Sequence, residues 1–141
     1  MGQFSAFLKK NKIEKKNEKF AVTKSIVDAD GKPVEWEFRH LKVAEVEKIR
    51  NACTKDVPVK GKPGAYRPKL NYDEYICGLI VASCVMPDLN DAELQDSYDV
   101  MGAENLLKEM VDDAGEYDNL KLFVQKLNGY DIGEEVQEAK N

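Results

Sequence analysis

The chain holds one histidine, one tryptophan and three cysteines. A single histidine leaves little material for acid–base or metal chemistry. Three cysteines without regular spacing exclude a disulfide framework and fit reduced thiols. No apolar run approaches the roughly 18 residues that a membrane-spanning helix needs. Phe4, Phe7 and Leu8 precede Lys9 and Lys10, the reverse of a secretory signal's order, so the expected location is the cytoplasm. Internal repeats and low-complexity tracts are missing. Phosphate loops are missing too: Gly61-Lys62-Pro63-Gly64 comes nearest, without the flanking strand and helix, and its proline removes an amide. No Asp-x-Asp-x-Asp-Gly loop offers a calcium site.

What is present fits one α+β domain over residues 1–141, 43% apolar and 33% charged. The charge is divided. Residues 1–69 carry 17 Lys/Arg against 9 Asp/Glu, and residues 70–141 carry 4 against 17. Such a split arises from charged partners, from two faces that meet different surfaces, or simply from solvated helix faces.

Phe4, Phe7 and Leu8 have the spacing of one helix side and open a short amphipathic segment. A lysine-rich linker follows, and residues 1–18 are expected to be mobile because so short a helix cannot hold itself in water. From about 19 to 40 the period changes to two. Phe20, Val22 and Ile26 fall on alternate positions with Ala21, Thr23 and Ser25 between them, and Val34, Trp36 and Phe38 alternate with Glu35, Glu37 and Arg39, around Asp28-Ala29-Asp30-Gly31. This predicts a β-hairpin with one apolar face, which must lie against helices. Val43, Val46, Ile49 and Cys53 predict a helix over roughly 43–55. Residues 55–70, with Pro58, Pro63 and Pro68 among five basic residues, read as a mobile basic loop.

Asn71 with Glu74 forms a capping-box pattern before a helix running to about Met86 and apolar nearly all round, the expected central helix. Cys77 and Cys84 would lie on it as inert buried thiols. Pro87 stops it, and Asn90 with Glu93 starts a short helix. Leu106, Leu107, Met110 and Val111 form an amphipathic stripe expected in the core. Gly115 separates this from a last helix carrying Tyr117, Leu120, Val124 and Leu127, which Gly129 ends. Residues 131–141 read as a loose acidic tail.

The run Pro87-Asp88-Leu89-Asn90-Asp91-Ala92-Glu93-Leu94-Gln95-Asp96-Ser97-Tyr98, then Val100-Met101-Gly102-Ala103-Glu104 and Leu106-Leu107, resembles the small XkdN-like (PBSX-type) tail assembly chaperones of long-tailed phages and defective prophages of Gram-positive bacteria. Val34-Glu35-Trp36-Glu37-Phe38-Arg39 with Glu45, Asn71-Tyr72-Asp73, Ala114-Gly115-Glu116-Tyr117 and Asn128-Gly129-Tyr130-Asp131 extend the likeness over about 4–132. The resemblance implies a non-enzymatic protein of the bacterial host cytoplasm. It would coat the tape measure protein before the tail tube polymerises, and tail tube protein would then replace it. No cofactor, metal, membrane or small-molecule substrate is implied.

The family carries no agreed binding residues. From the residues themselves, Phe4, Phe7 and Leu8 are the candidate detachable apolar contact, and Lys60, Lys62, Arg67 and Lys69 a steering patch. The alternative readings are a minor structural protein of the tail and a nucleic-acid-binding regulator. The latter is disfavoured by a pI near 5.0 and by the acidic second half, which repels a polyanion. His40, at the end of the second predicted strand, lacks any partnered catalytic motif.

Overall fold

The alternation of Trp36 and Phe38 with Glu37 does what period-two patterning requires: both aromatic rings are buried and the carboxylate faces outward. In the computed structural model, which describes residues 2–131, these residues form β2 (Trp36–Phe38), paired antiparallel with β1 (Glu18–Phe20). Gly31, at φ +80°, makes the expected turn, and the Asp28 carboxylate accepts the amides of Asp30 and Lys32. The hairpin is not a continuous ladder. Thr23, buried, donates its hydroxyl to Glu116 at 2.8 Å, and the Lys24 amide donates to the same carboxylate. That pull toward the last helix takes the segment after Phe20 off the sheet.

Five α-helices follow: α1 (Val43–Ala52), α2 (Tyr72–Ser83), α3 (Ala92–Ser97), α4 (Ala103–Met110) and α5 (Ala114–Leu127). Helix α2 is the core, with Tyr75, Ile76, Cys77, Leu79, Ile80 and Ser83 buried. Helices α1, α4 and α5 pack around it. Leu106, Leu107, Met110 and Val111 are buried as their spacing predicts. The sheet closes on α5 through rings: Phe20 stacks on Phe123 at 4.5 Å between centroids, and Phe38 meets Phe123 edge-on at 5.4 Å. At the end of α5, the Asn128 side chain accepts the Leu41 amide at 2.8 Å and donates to Ser83 Oγ at 3.4 Å. One amide thus ties α5 to the link before α1 and to the end of α2.

Several expectations need correction. The central helix stops at Ser83. Cys84–Met86 instead form β5, antiparallel to β2, giving the sheet order β1-β2-β5. Cys84 is therefore on a strand and does not lie on the helix with Cys77. The N-terminal apolar segment is two 3-10 turns, Ser5–Phe7 and Lys9–Asn11, not an α-helix. Val43, placed in the first predicted stripe, is 75% exposed. The cap of α3 is Asp91, which accepts the Leu94 amide at 2.9 Å, rather than Asn90. Gly115 lies inside the first turn of α5, whose cap is Asp113. The acidic tail, beyond Asp131, lies outside the described residues.

Helix α1 crosses α2 at Gly78, where an added Cβ would sit 2.9 Å from Ile49 Cγ2. Alanine is the better helix former by ~1 kcal/mol, but the branched methyl cannot swing aside, and overpacking costs ~1–3 kcal/mol. Gly78→Ala is expected to lower the denaturant midpoint. Ile49→Ala in the same chain should recover part of the loss, a coupling visible in a double-mutant cycle.

Glu45 accepts the Lys42 amide at 3.1 Å and holds both Arg39 terminal nitrogens, at 3.1 and 2.6 Å. The Arg39 guanidinium, then that amide, pull its carboxyl down to about 2. Its folded value lies below its unfolded one, so the stabilisation is complete above the unfolded value and lost as pH falls toward 2. Both side chains are more than a third exposed, which limits the pair to ~0.2–1 kcal/mol. Glu45→Gln should lower stability by that amount at pH 7, and the gap from the unsubstituted protein should shrink in urea titrations between pH about 4.5 and about 2.

Candidate functional site

Residues 55–70 are not an irregular loop. Thr54–Pro58 and Tyr66–Leu70 form β3 and β4, an antiparallel hairpin with Lys55 opposite Lys69, Asp56 opposite Pro68, Val57 opposite Arg67 and Pro58 opposite Tyr66. The amide of Asn71 donates to Cys53 O and that of Val59 to Ala65 O, each at 2.9 Å. Alternation from these bonds puts 55/69 and 57/67 at hydrogen-bonded positions, and 56/68 and 58/66 at the others. Pro58 and Pro68 thus turn their missing N–H groups away from the partner strand, and the ladder survives them. Gly61 and Gly64, both at positive φ, close the turn.

The register sorts the basic residues. Lys55, Arg67 and Lys69 share one face with Val57 at its middle, while Asp56 lies on the other. Lys60 and Lys62 sit at the turn. Every one of these cations is exposed and pairs with no carboxylate among the described residues. Between this face and the start of α2 runs an open groove of about 560 Å³, lined by Cys53, Lys55, Val57, Lys69, Leu70 and Asn71 through Glu74. Asn71 accepts the Glu74 amide at 3.2 Å and so fixes where α2 begins.

The second candidate group lies on the N-terminal segment. Phe4 and Phe7 stand with ring centroids 6.3 Å apart and are 66% and 83% exposed; Leu8 is 48% exposed. The segment is pinned within itself by the Asn11 side chain on Ser5 O. Farther along it meets the body of the fold, where Lys15 Nζ approaches His40 Nε2 at 3.3 Å and Asn17 donates to Glu37. Ile13, farther along the same segment, is also exposed, at 87%; the sequence pattern does not single it out, because an isolated apolar residue among lysines carries no periodic signal.

The reactive side chains are quiet. Burial pushes the Cys84 thiol up to about 12, and burial likewise raises Cys53 and Cys77. Cys84 donates to Pro87 O at 3.3 Å. His40 is shifted down, first by burial and then by Lys15 and Lys12, all of which disfavour its charged form. Among the described residues no three His, Cys, Asp or Glu side chains converge as a metal site would require. A shallower hollow of about 400 Å³ beside β5 has Met86 and Leu94 within a rim of Asp88, Asp91 and Glu93. No sequence signal pointed to it, since it depends on β5.

Like charges opposed across a ladder cost ~0.2–1 kcal/mol. Lys55→Glu should therefore raise the melting temperature slightly at low salt, by an amount that vanishes in high salt. A gain that persists at high salt would mean the Lys55–Lys69 repulsion is not its source.

Residues 4–140 match the family model described as phage XkdN-like tail assembly chaperone protein. The chain is 23% identical over 139 residues to the phage-like element PBSX protein XkdN of Bacillus subtilis (strain 168), covering 97% of this chain and 93% of that one. It is 24% identical over 136 residues to the uncharacterized protein YqbN of the same organism, covering 96% and 90%. The crystal structure of YqbN superposes with a TM-score of 0.77 at 19% identity, over 93% of this chain and 99% of that one. At that identity the superposition speaks for the shared fold.

Proposed function

The chain belongs to the phage XkdN-like tail assembly chaperone family, and from that premise we propose that it acts as a single domain in the host cytoplasm, binding the tape measure protein before the tail tube polymerises. The observation that carries this reading is the exposure of Phe4, Phe7 and Leu8, with Ile13 beyond them, on an N-terminal segment whose two turns hold no buried residue. Apolar side chains held in water gain free energy when a second apolar surface covers them. A long helical protein with uncovered apolar stripes supplies such a surface.

Magnitudes favour a reversible contact. Each aromatic ring fully covered contributes ~1.5–3 kcal/mol, and association has its own entropic cost. Three or four such side chains give micromolar to millimolar attachment per chain, on the order of 4–8 kcal/mol. Binding of that strength protects a partner while leaving it open to displacement by tail tube protein that covers the same stripes over a larger area. Lys60, Lys62, Arg67 and Lys69 steer the encounter with acidic stretches of the partner, an influence on rate more than on affinity.

Co-expression with the tape measure protein from the same gene cluster tests the reading. The partner is expected to become soluble and to co-purify with this chain. Phe7→Glu should reduce the co-purified amount several-fold while changing the chain's own stability by less than ~0.5 kcal/mol, since the ring touches no core. A tape measure protein that stays insoluble with the unsubstituted chain would remove the main support. A stoichiometric amount of this chain in purified particles would favour a permanent structural role instead.

A further inference from the structure

The groove between the β3–β4 hairpin and the start of α2 has walls of opposite sign. Lys55 and Lys69 stand opposite each other on the hairpin wall, and Asp73 and Glu74 belong to the first turn of α2. The Asn71 amide on the Cys53 carbonyl, at 2.9 Å, closes the junction between them. Cys53 and Leu70 lie at that junction, Val57 on the hairpin wall, and Tyr72, 57% exposed, on the helix side. Negative charge at a helix start is favourable in itself, whereas the two opposed lysines repel. No ion pair joins the walls among the described residues. The groove thus offers cations on one side, carboxylates on the other and apolar surface along its lining.

We propose that this groove seats one face of an amphipathic helix from a partner protein, its carboxylate edge along Lys55 and Lys69, its apolar stripe on Val57 and Leu70, and its Lys/Arg edge along Asp73 and Glu74. Three lanes of that kind are what a helix presents when charged positions border its apolar stripe. An extended segment instead sends alternate side chains to opposite sides and offers one lane at a time. Strand addition is further discouraged by Pro58 and Pro68, which leave each rim of the hairpin short of a donor. Nucleic acid would satisfy the hairpin wall alone and meet Asp73 and Glu74 with like charge. Naming the tape measure protein as the source of the helix rests on the proposed function; the preference for a helix with edges of both signs does not.

The full chain, titrated with three synthetic helical peptides and followed by amide spectra, tests the proposal. All three share one apolar stripe. The first borders it with Glu on one edge and Lys on the other, the second with Glu on both, the third with Lys on both. The first is expected to shift the resonances of Lys55, Val57, Lys69, Tyr72, Asp73 and Glu74 and to bind ~5-fold tighter than either other peptide at low salt. That preference should fade as NaCl rises to about 500 mM. Lys55→Glu with Lys69→Glu makes both walls acidic, and the double variant should then favour the third peptide. Binding of the second peptide as tight as that of the first would reduce the groove to an anion patch and overturn the proposal. So would duplex DNA moving the same resonances at lower concentration than the first peptide. Groove shifts that scale with protein concentration in the absence of peptide would overturn it too, by giving the groove to a second copy. Co-purification with the tape measure protein is read separately, so failure there leaves the peptide preference standing, and the reverse.

Discussion

Helix α2 is apolar around most of its circumference, and a cylinder of that kind has no side it can leave in water. The fold is the answer to that constraint. Helix α1 covers one side, with Ile49 seated against Gly78, and α4 and α5 cover others. The chain leaving α2 becomes β5, which brings the β1–β2 sheet against the same core. The aromatic contacts of Phe20, Phe38 and Phe123 and the Asn128 bridge then fasten sheet, α2 and α5 to one another. With the apolar interior committed in this way, Phe4, Phe7 and Leu8 remain outside it, which is why the N-terminal cluster is informative.

Charge follows the same division. The acidic residues of the second half are spread over helices and loops, with Glu93, Asp96, Glu104, Glu109 and Asp118 on α3, α4 and α5, and Asp91, Asp113 and Glu116 serve as caps or latches. The basic residues of the first half gather on the arm and on the β3–β4 hairpin. The imbalance read from the sequence is therefore spatial, and the cations of the β3–β4 hairpin, unlike Arg39, hold no ion pair among the described residues.

Elements whose local chemistry and burial agree could be read directly. The Trp36–Phe38 alternation, the Asp28–Gly31 turn, the Asn71 cap and the Leu106–Val111 stripe each pair a pattern with one physical need. The failures have equally specific causes. Cys84 and Val85 prolong an apolar run, and a run says nothing about whether it continues as helix or turns to strand. Pro58 and Pro68 look like breakers until the register shows which way their nitrogens point. Asn90 and Asp91 are both good caps, and only the bond to Leu94 chooses between them. For the candidate site, residue identities were legible but placement was not. The spacing of Phe4, Phe7 and Leu8 is as consistent with a core stripe as with an exposed one, and the opposition of Lys55 to Lys69 exists only once the ladder is in register.

The outward turn of Pro58 and Pro68 has a consequence for what the hairpin can recognise. A two-stranded ribbon offers its rims to any passing strand through backbone donors, and here each rim has lost one. Sheet growth from either side is discouraged, both with copies of the chain crowded during synthesis and with an extended client. Whatever this ribbon grips, it must grip through side chains above or below its plane.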